Sequence, residues 1–434
     1  MHGDGSVYRT ENGRWRAALP PAQPGGKRQY LSGATRSEVI AKRRAALAAR
    51  ARGETATLRP PKLEEWLRYW LDDICPSRCD QSTIVGYRGK LIGHVCPAIG
   101  HVRIDKVTPD HLRKTYDAMR DAGLAPSSIA QTHRILRRAF KVAERERRIP
   151  RNPCDLMDGP TFRRKEVQPL SQAEARRILR IARSRRNTAR WSVALALGLR
   201  QGEALGLAWE SVDLDAGTIT IRWQLRRMYG WHGCGEPTVA TVDGSQVKTF
   251  PCGHRQPSRC PQRVGETGLH LRRVKSDRSN RTINLPAGLV KELRQHRETQ
   301  AAEQTAAGRF WVTFTGTPPE EKDPRGIDLV FTHEDGRAID PRQDYEMWLE
   351  LLAEADVEHA RLHDARHTAA SLLLAQGVPT NVIRDLLGHS SSTLTRETYA
   401  HVTRQLADAA AAEMHGLLWG DEGDDEDDED DEGR

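Results

Sequence analysis

The chain reads as a multidomain, mainly α protein with small β-sheets. It predicts a three-stranded sheet plus one helix, then an all-α domain, then a larger α+β domain. Three observations carry this. Apolar residues recur at helical spacing through 63–148 and again from 287 onward. Short β-type runs fall in 6–31 and 218–285, with one more at Leu329–Thr332. Proline-bearing stretches at Thr57–Lys62 and Asn152–Pro169 divide the 434 residues as linkers would. The expected domains are 1–56, 63–152 and 168–419, followed by a tail at 420–434.

In the first domain, Ser6–Arg9, Arg14–Leu19 and Arg28–Leu31 are expected strands, separated by the turn signals Glu11-Asn12-Gly13 and Pro24-Gly25-Gly26. A helix follows, opened by Thr35 and Glu38 as a capping box and stopped at Gly53. In the second domain, Leu63, Trp66, Leu67 and Trp70 fall at i, i+3, i+4, i+7 and should be core. Helices are expected at Gln81–Leu91, Pro109–Ala122 and Ser127–Arg147. The last carries Arg134, Arg137, Arg138, Lys141, Arg145, Arg147 and Arg148, a face for phosphate contact. In the third domain, Ser171 and Glu174 form another capping box before a helix to Arg183. Helices at Ala189–Leu197 and Gln201–Trp209 follow, then strands at Thr218–Leu225, Leu269–Val274 and Thr282–Leu285. Residues 228–268 interrupt the sheet as an insertion rich in Gly, Pro, Cys and His. Beyond it, helices are expected at 287–305, 341–355, 362–376, 379–388 and 402–418, with a strand at Leu329–Thr332.

Charge narrows the function. The net charge is +8, but residues 421–432 hold eleven acids. Up to Gly420 there are 66 bases against 48 acids, a balance of +18 that points to a polyanionic partner, nucleic acid first. The tail has almost no apolar content and is expected to be disordered. The hydrophobic fraction of 38% and the mean hydropathy of −0.66 exclude a membrane protein. No apolar segment near Met1 resembles a secretory signal. Cys75, Cys79, Cys96, Cys154, Cys234, Cys252 and Cys260 are therefore expected as reduced thiols, consistent with a cytoplasmic, nucleoid-associated protein. Only 12 of the 67 bases are lysine, so any function that needs an ammonium has few candidates.

The chemistry-bearing residues lie in the third domain. Leu197-Gly198-Leu199-Arg200-Gln201-Gly202-Glu203 sets an arginine at the break between two apolar helices. His363-Asp364-Ala365-Arg366-His367-Thr368 opens another strongly apolar helix. Gly388-His389 and Tyr399 follow, and Lys275 sits between two expected strands. Such a set supports phosphoryl transfer without metal or cofactor. Two guanidiniums grip one phosphate, a tyrosine hydroxyl attacks phosphorus, imidazoles position or take a proton, and an ammonium protonates the departing oxygen.

On these motifs the chain resembles the tyrosine recombinases of the phage-integrase family. The resemblance implies Arg200 and Arg366 as phosphate ligands, His363 as base or phosphate ligand, and His389 as a further donor. It also implies Lys275 as general acid and Tyr399 as nucleophile, with Glu203 orienting Arg200. Ala365, where the family commonly has leucine, departs only in packing. The first domain is similar to an arm-site-binding domain, 63–152 to a helical core-binding domain, and 168–419 to the catalytic domain. The implied partners are double-stranded DNA attachment sites, three further copies in a homotetramer, and an excisionase or host DNA-bending protein. The implied reaction is integration of a mobile element or prophage through a 3′-phosphotyrosyl intermediate.

Rival readings are a type IB-like topoisomerase and a DNA-binding regulator with relic catalytic residues. A metal-dependent hydrolase is a further rival, built on His363, Asp364 and His367 at i, i+1 and i+4. The insertion leaves the register of Lys275 open, with Lys248 and Lys291 as alternatives. It also carries Cys234, Cys252, His254 and Cys260, a set able to hold a structural zinc, with His232 and His270 nearby. No C-x-x-C pair is present, so a flexible reduced loop is the other reading.

Overall fold

A computed structural model describes residues 7–19, 29–51, 60–162, 168–235, 237–242, 245–274, 280–358 and 360–388. The chain forms two compact units, Met1–Arg164 and Lys165–Arg434. Lys275, His389, Tyr399 and the acidic tail lie outside the described residues.

The first unit begins with β1 (Val7–Arg9), β2 (Trp15–Leu19) and β3 (Gln29–Gly33), an antiparallel sheet in that order, and α1 (Arg36–Ala51). At the start of α1, Thr35 Oγ1 accepts from the Glu38 N–H, and the Glu38 carboxylate reaches back to the backbone N–H groups of Ala34 and Thr35. Next come α2 (Leu63–Tyr69), α3 (Gln81–Lys90), α4 (Cys96–Ile99), α5 (Pro109–Asp121) and α6 (Pro126–Arg145). α2 and α3 each run on into a π-helical turn, Trp70–Ile74 and Leu91–Val95. Leu63, Trp66, Leu67 and Trp70 are all buried, as their spacing predicts. On α6 the apolar face is buried through Ile129, Leu136 and Phe140, while Arg134, Arg137, Arg138, Lys141 and Arg145 stand exposed. With Arg78 these five line one depression of about 480 Å³.

The second unit opens with α7 (Gln172–Ala182), whose Ser171–Glu174 box is reciprocal, then α8 (Thr188–Ala196) and α9 (Gln201–Leu205). α8 is buried on both sides because it separates two cores. Ala189 and Val193 face the sheet side, whereas Trp191, Ala194 and Leu195 pack with α7 and with Trp348. α9 ends far short of Trp209. A Cβ on Gly206 would lie 2.6 Å from the Leu225 nitrogen, so the helix stops where a strand backbone crosses it.

The expected strand Thr218–Leu225 is two strands in two sheets. β4 (Val212–Asp213), β5 (Thr218–Ile221) and β12 (Arg281–Asn284) form one, in the order β12-β5-β4. β6 (Trp223–Met228) pairs with β11 (Gly268–Arg273) in another. The chain changes sheets at Arg222, which belongs to neither strand. The insertion contains β7 (Trp231–His232), β8 (Thr238–Val242), β9 (Ser245–Thr249) and β10 (Arg263–Val264), paired β7 with β10 and β8 with β9. After β12 come α10 (Ala287–Ala307), the hairpin β13 (Phe314–Gly316) and β14 (Arg325–Ile327), α11 (Pro341–Glu354), α12 (Leu362–Ala375) and α13 (Thr380–Leu387). The β13–β14 hairpin has no counterpart in the expected elements. Leu329–Thr332 is buried core with isolated bridges at Leu329 and Thr332, not a strand. Among the described residues, no helix is long and apolar enough to cross a membrane.

One buried ion pair braces the helices behind the site. Arg190 on α8 donates to both oxygens of Asp344 on α11 at 2.9 and 2.8 Å, and each side chain is 1% exposed. Gln201, beside Arg200, donates to the same carboxylate at 2.9 Å. Removing one partner of such a pair strands a buried charge, so Asp344→Ala should cost about 3–5 kcal/mol. Arg190→Met with Asp344→Leu should recover most of that loss. Urea unfolding of the three proteins checks both, and a fully tolerated Asp344→Ala would contradict the account.

Candidate active site

The site forms where the α8–α9 turn, the first turn of α12 and the end of α13 meet. The turn depends on Gly198. Its φ is +58°, and a Cβ there would lie 2.6 Å from Leu387 and 3.2 Å from the Ala369 Cβ. A side chain would be strained by the backbone and excluded by its neighbours. The close approach lets the Gly198 carbonyl accept from Arg366 Nη1 at 2.8 Å. Arg366 Nη2 bonds the Leu387 carbonyl. Gly388 ends α13 in the left-handed conformation, and its carbonyl accepts from Arg200 Nη2 at 2.9 Å. The two guanidiniums thus bond consecutive carbonyls, immediately before His389.

Glu203 organises the other side. It is buried, with Oε1 2.5 Å from Arg200 Nη1 and Oε2 accepting from the Arg200 N–H at 3.2 Å. Arg281, at the start of β12, donates to Oε2 at 3.1 Å and to the Leu386 carbonyl at 2.6 Å. Burial pushes the Glu203 carboxyl up, but Arg281 and Arg200 more than offset this and hold it below its ordinary value. Arg281 was not among the sequence candidates. The available signal was strand alternation, which puts it on the same inward face as the buried Ile283.

On α12, His363 and His367 stack edge to face with ring centroids 5.2 Å apart. His363 keeps one edge open to solvent. Packing of its inner side, then His367 and Arg366, hold its imidazole down to about 4, and burial holds His367 below its ordinary value. Both rings are neutral at pH 7. Asp364 is occupied as the cap of α12, accepting from the Arg361 N–H at 2.8 Å and from its guanidinium. Among the described residues, His363, Asp364 and His367 make no metal-binding cluster. Among the described residues the hydrolase reading therefore has no ligand set.

The structure thus brings Arg200, His363 and Arg366 together. Lys275, His389 and Tyr399 fall outside the described residues, the latter two within eleven residues of Gly388. In the insertion, Cys234, Cys252 and Cys260 cluster, but the histidine with them is His232; His254 is exposed and apart. A β-pair that sequence spacing alone does not show brings His232 in.

Residues 260–405 match the phage integrase family, and 62–120 match the phage integrase N-terminal SAM-like domain. An integrase of Saccharopolyspora erythraea is 35% identical over 381 residues, spanning 83% of each chain. The chain belongs to the phage integrase family. Members of this family are tyrosine recombinases, enzymes of site-specific DNA recombination, and mobile-element and prophage integrases are among its relatives here. A tyrosine recombinase XerC-like protein of Caldanaerobacter subterraneus subsp. tengcongensis is 24% identical over 398 residues, 90% of this chain and 92% of that one. Among solved structures, the Tn1549 transposon integrase with a circular intermediate DNA shares the fold. Its TM-score is 0.60 at 18% identity, covering 82% of this chain and all of that one.

The imidazole shifts predict a pH dependence of stability. Unfolded, His363 and His367 take up protons near 6.5; folded, His363 resists until about 4. Stability present above about 6.5 should therefore fall as the pH drops toward 4. Urea midpoints between pH 7 and pH 4.5 test this, and His363→Asn should flatten part of the slope. An identical slope in that variant would show that His363 titrates normally in the folded chain.

Proposed function

We propose that this recombinase cuts and rejoins double-stranded DNA attachment sites with Tyr399 as nucleophile. Its hydroxyl attacks the scissile phosphorus, the 5′ oxygen leaves, and a 3′-phosphotyrosyl ester conserves the bond energy for rejoining. Arg200 and Arg366 hold the non-bridging oxygens, His363 accepts the tyrosine proton or a phosphate contact, and His389 donates to the phosphate. Lys275 protonates the 5′ oxygen. Glu203 and Arg281 are positioning residues for Arg200. The observation that carries this reading is the convergence of Arg200, Arg366 and a neutral imidazole directly before Gly388-His389. Neutral His363 can accept a proton at pH 7, which an imidazolium cannot.

The first unit supports a DNA partner independently, through the exposed basic face of α6. We read residues 1–56 as an arm-type module, 63–152 as core-binding, 168–419 as catalytic and 420–434 as an appended acidic tail. Four copies on paired sites, an excisionase or host DNA-bending helper, and action in the cytoplasm at the nucleoid complete the proposal. The Tn1549 and lambda integrase structures were both determined with DNA, the latter as a dimer on its core site, and they support the same partner class.

A nicked suicide substrate carrying the attachment site tests the chemistry. The wild type should trap a covalent protein–DNA adduct on that sequence. A topoisomerase would relax any supercoil, and a relic regulator would form no adduct. Tyr399→Phe should abolish the adduct with DNA affinity nearly unchanged; a persistent adduct would refute the assignment.

Arg200→Ala and Arg366→Ala should both suppress cleavage more than binding. Arg366→Ala should lower thermal stability the more of the two, because Arg366 is 2% exposed and two carbonyls lose its donors, whereas Glu203 keeps Arg281 as a partner when Arg200 is removed. Equal melting temperatures for the two variants would contradict this distinction.

A further inference from the structure

The insertion between β6 and β11 holds a cluster of reactive side chains that recombination does not use. From Trp231 to Thr267, Cys260 is the only buried residue among those whose burial is described. A segment of this size without an apolar core cannot offset its ordering entropy by burial alone. Yet it folds into the β7–β10 and β8–β9 pairs.

Where its turns meet, one ligand atom each from His232, Cys234, Cys252 and Cys260 lies within 4.8 Å of the others. His232 Nδ1 is 3.4 Å from Cys252 Sγ and 3.8 Å from Cys234 Sγ. A tetrahedral zinc with bonds of about 2.3 Å to sulfur and about 2.0 Å to nitrogen sets its ligands roughly 3.5–3.8 Å apart. The distances from His232 Nδ1 to Cys252 Sγ and Cys234 Sγ match that spacing. The other ring nitrogen, Nε2, faces the Arg255 carbonyl at 3.4 Å, which leaves Nδ1 as the free lone pair. Phe250 stacks on the imidazole with centroids 3.6 Å apart and fixes the ring plane. The Cys252 turn is closed by Gly253 at φ +72°, whose N–H bonds the Phe250 carbonyl at 2.8 Å.

We propose that the insertion binds one zinc ion in a closed structural site formed by His232, Cys234, Cys252 and Cys260. Four protein ligands leave no position for water or substrate, so the ion is structural. Binding displaces the three thiol protons to solvent as the thiolates form. The ion joins β7, the Cys252 turn and the residue before the Pro261–Gln262 entry to β10, closing the neck of the insertion beside the β6–β11 pair.

The test uses the full chain purified under reductant and without chelator. Elemental analysis should find one zinc per chain, released when a mercurial blocks the thiols. Cobalt(II) exchanged into the wild type should show tetrahedral d–d bands with thiolate charge transfer, a readout independent of any variant. His232→Ala and Cys252→Ser should reduce the metal to background, and His254→Ala should keep the full equivalent. Background zinc in the wild type after reconstitution would overturn the proposal, as would a disulfide among these cysteines in the native protein. Retention by His232→Ala with loss in His254→Ala would overturn the ligand set.

Discussion

The site rests on one buried carboxylate. Taking the charge of Glu203 out of water costs several kcal/mol, and only partners in good geometry offset it. Here two guanidiniums and a backbone N–H do so. The consequence is positional. Because Glu203 cannot be left unpaired, Arg200 is held at the start of α9 and Arg281 at the start of β12. Arg281 also bonds the Leu386 carbonyl, so one carboxylate registers helix, strand and the end of α13 against each other. Arginine suits this use because its planar fork serves a carboxylate and a carbonyl at once, which an ammonium cannot do with the same rigidity.

Behind this network the backbone is equally constrained. α8 is buried on both sides, so the turn that follows it has no freedom to drift. Gly198 allows α12 and α13 to approach that turn, and Arg366 closes the contact by bonding carbonyls from both. Leu170, ahead of α7, donates its N–H to Thr368 Oγ1 on α12 at 2.9 Å, tying the start of the unit to the same helix. The residues with chemistry are therefore braced from elements nearly two hundred residues apart.

How much of this was legible in the sequence follows from what is local. The Ser171–Glu174 box, the apolar stripe of Leu63 to Trp70 and the basic face of α6 depend on residues three or four apart, and spacing predicts them. Arg200, His363 and Arg366 were legible because polar groups interrupt strongly apolar helices. The sheet change at Arg222 was not, since one alternating run gives no sign of which partner each half will find. Arg281 was missed for the same reason: its partner lies 78 residues away. His254 was preferred to His232 on proximity to Cys252 in sequence. The β7–β10 pair reverses that proximity in space.

The scarcity of lysine gives the last constraint its force. Lys248 is exposed on β9, inside the insertion, and Lys291 is exposed on α10. Neither is held by the network around Glu203. Lys275 belongs to the connection between β11 and β12, and both ends of that connection are fixed. Arg273 pairs with Trp223 at one end, and Arg281 is held by Glu203 at the other. β6, the partner of β11, in turn crosses α9, where a Cβ on Gly202 would lie 3.0 Å from the Leu225 carbonyl. The connection bearing Lys275 therefore springs from strands registered on the helix that Arg200 begins. The general acid proposed at Lys275 would need that kind of support, since a small error in its placement forfeits much of the proton transfer. The insertion lengthens the β6–β11 turn at the opposite end of the pair, beyond Met228 and Gly268, and leaves the pairing of Trp223 with Arg273 in register.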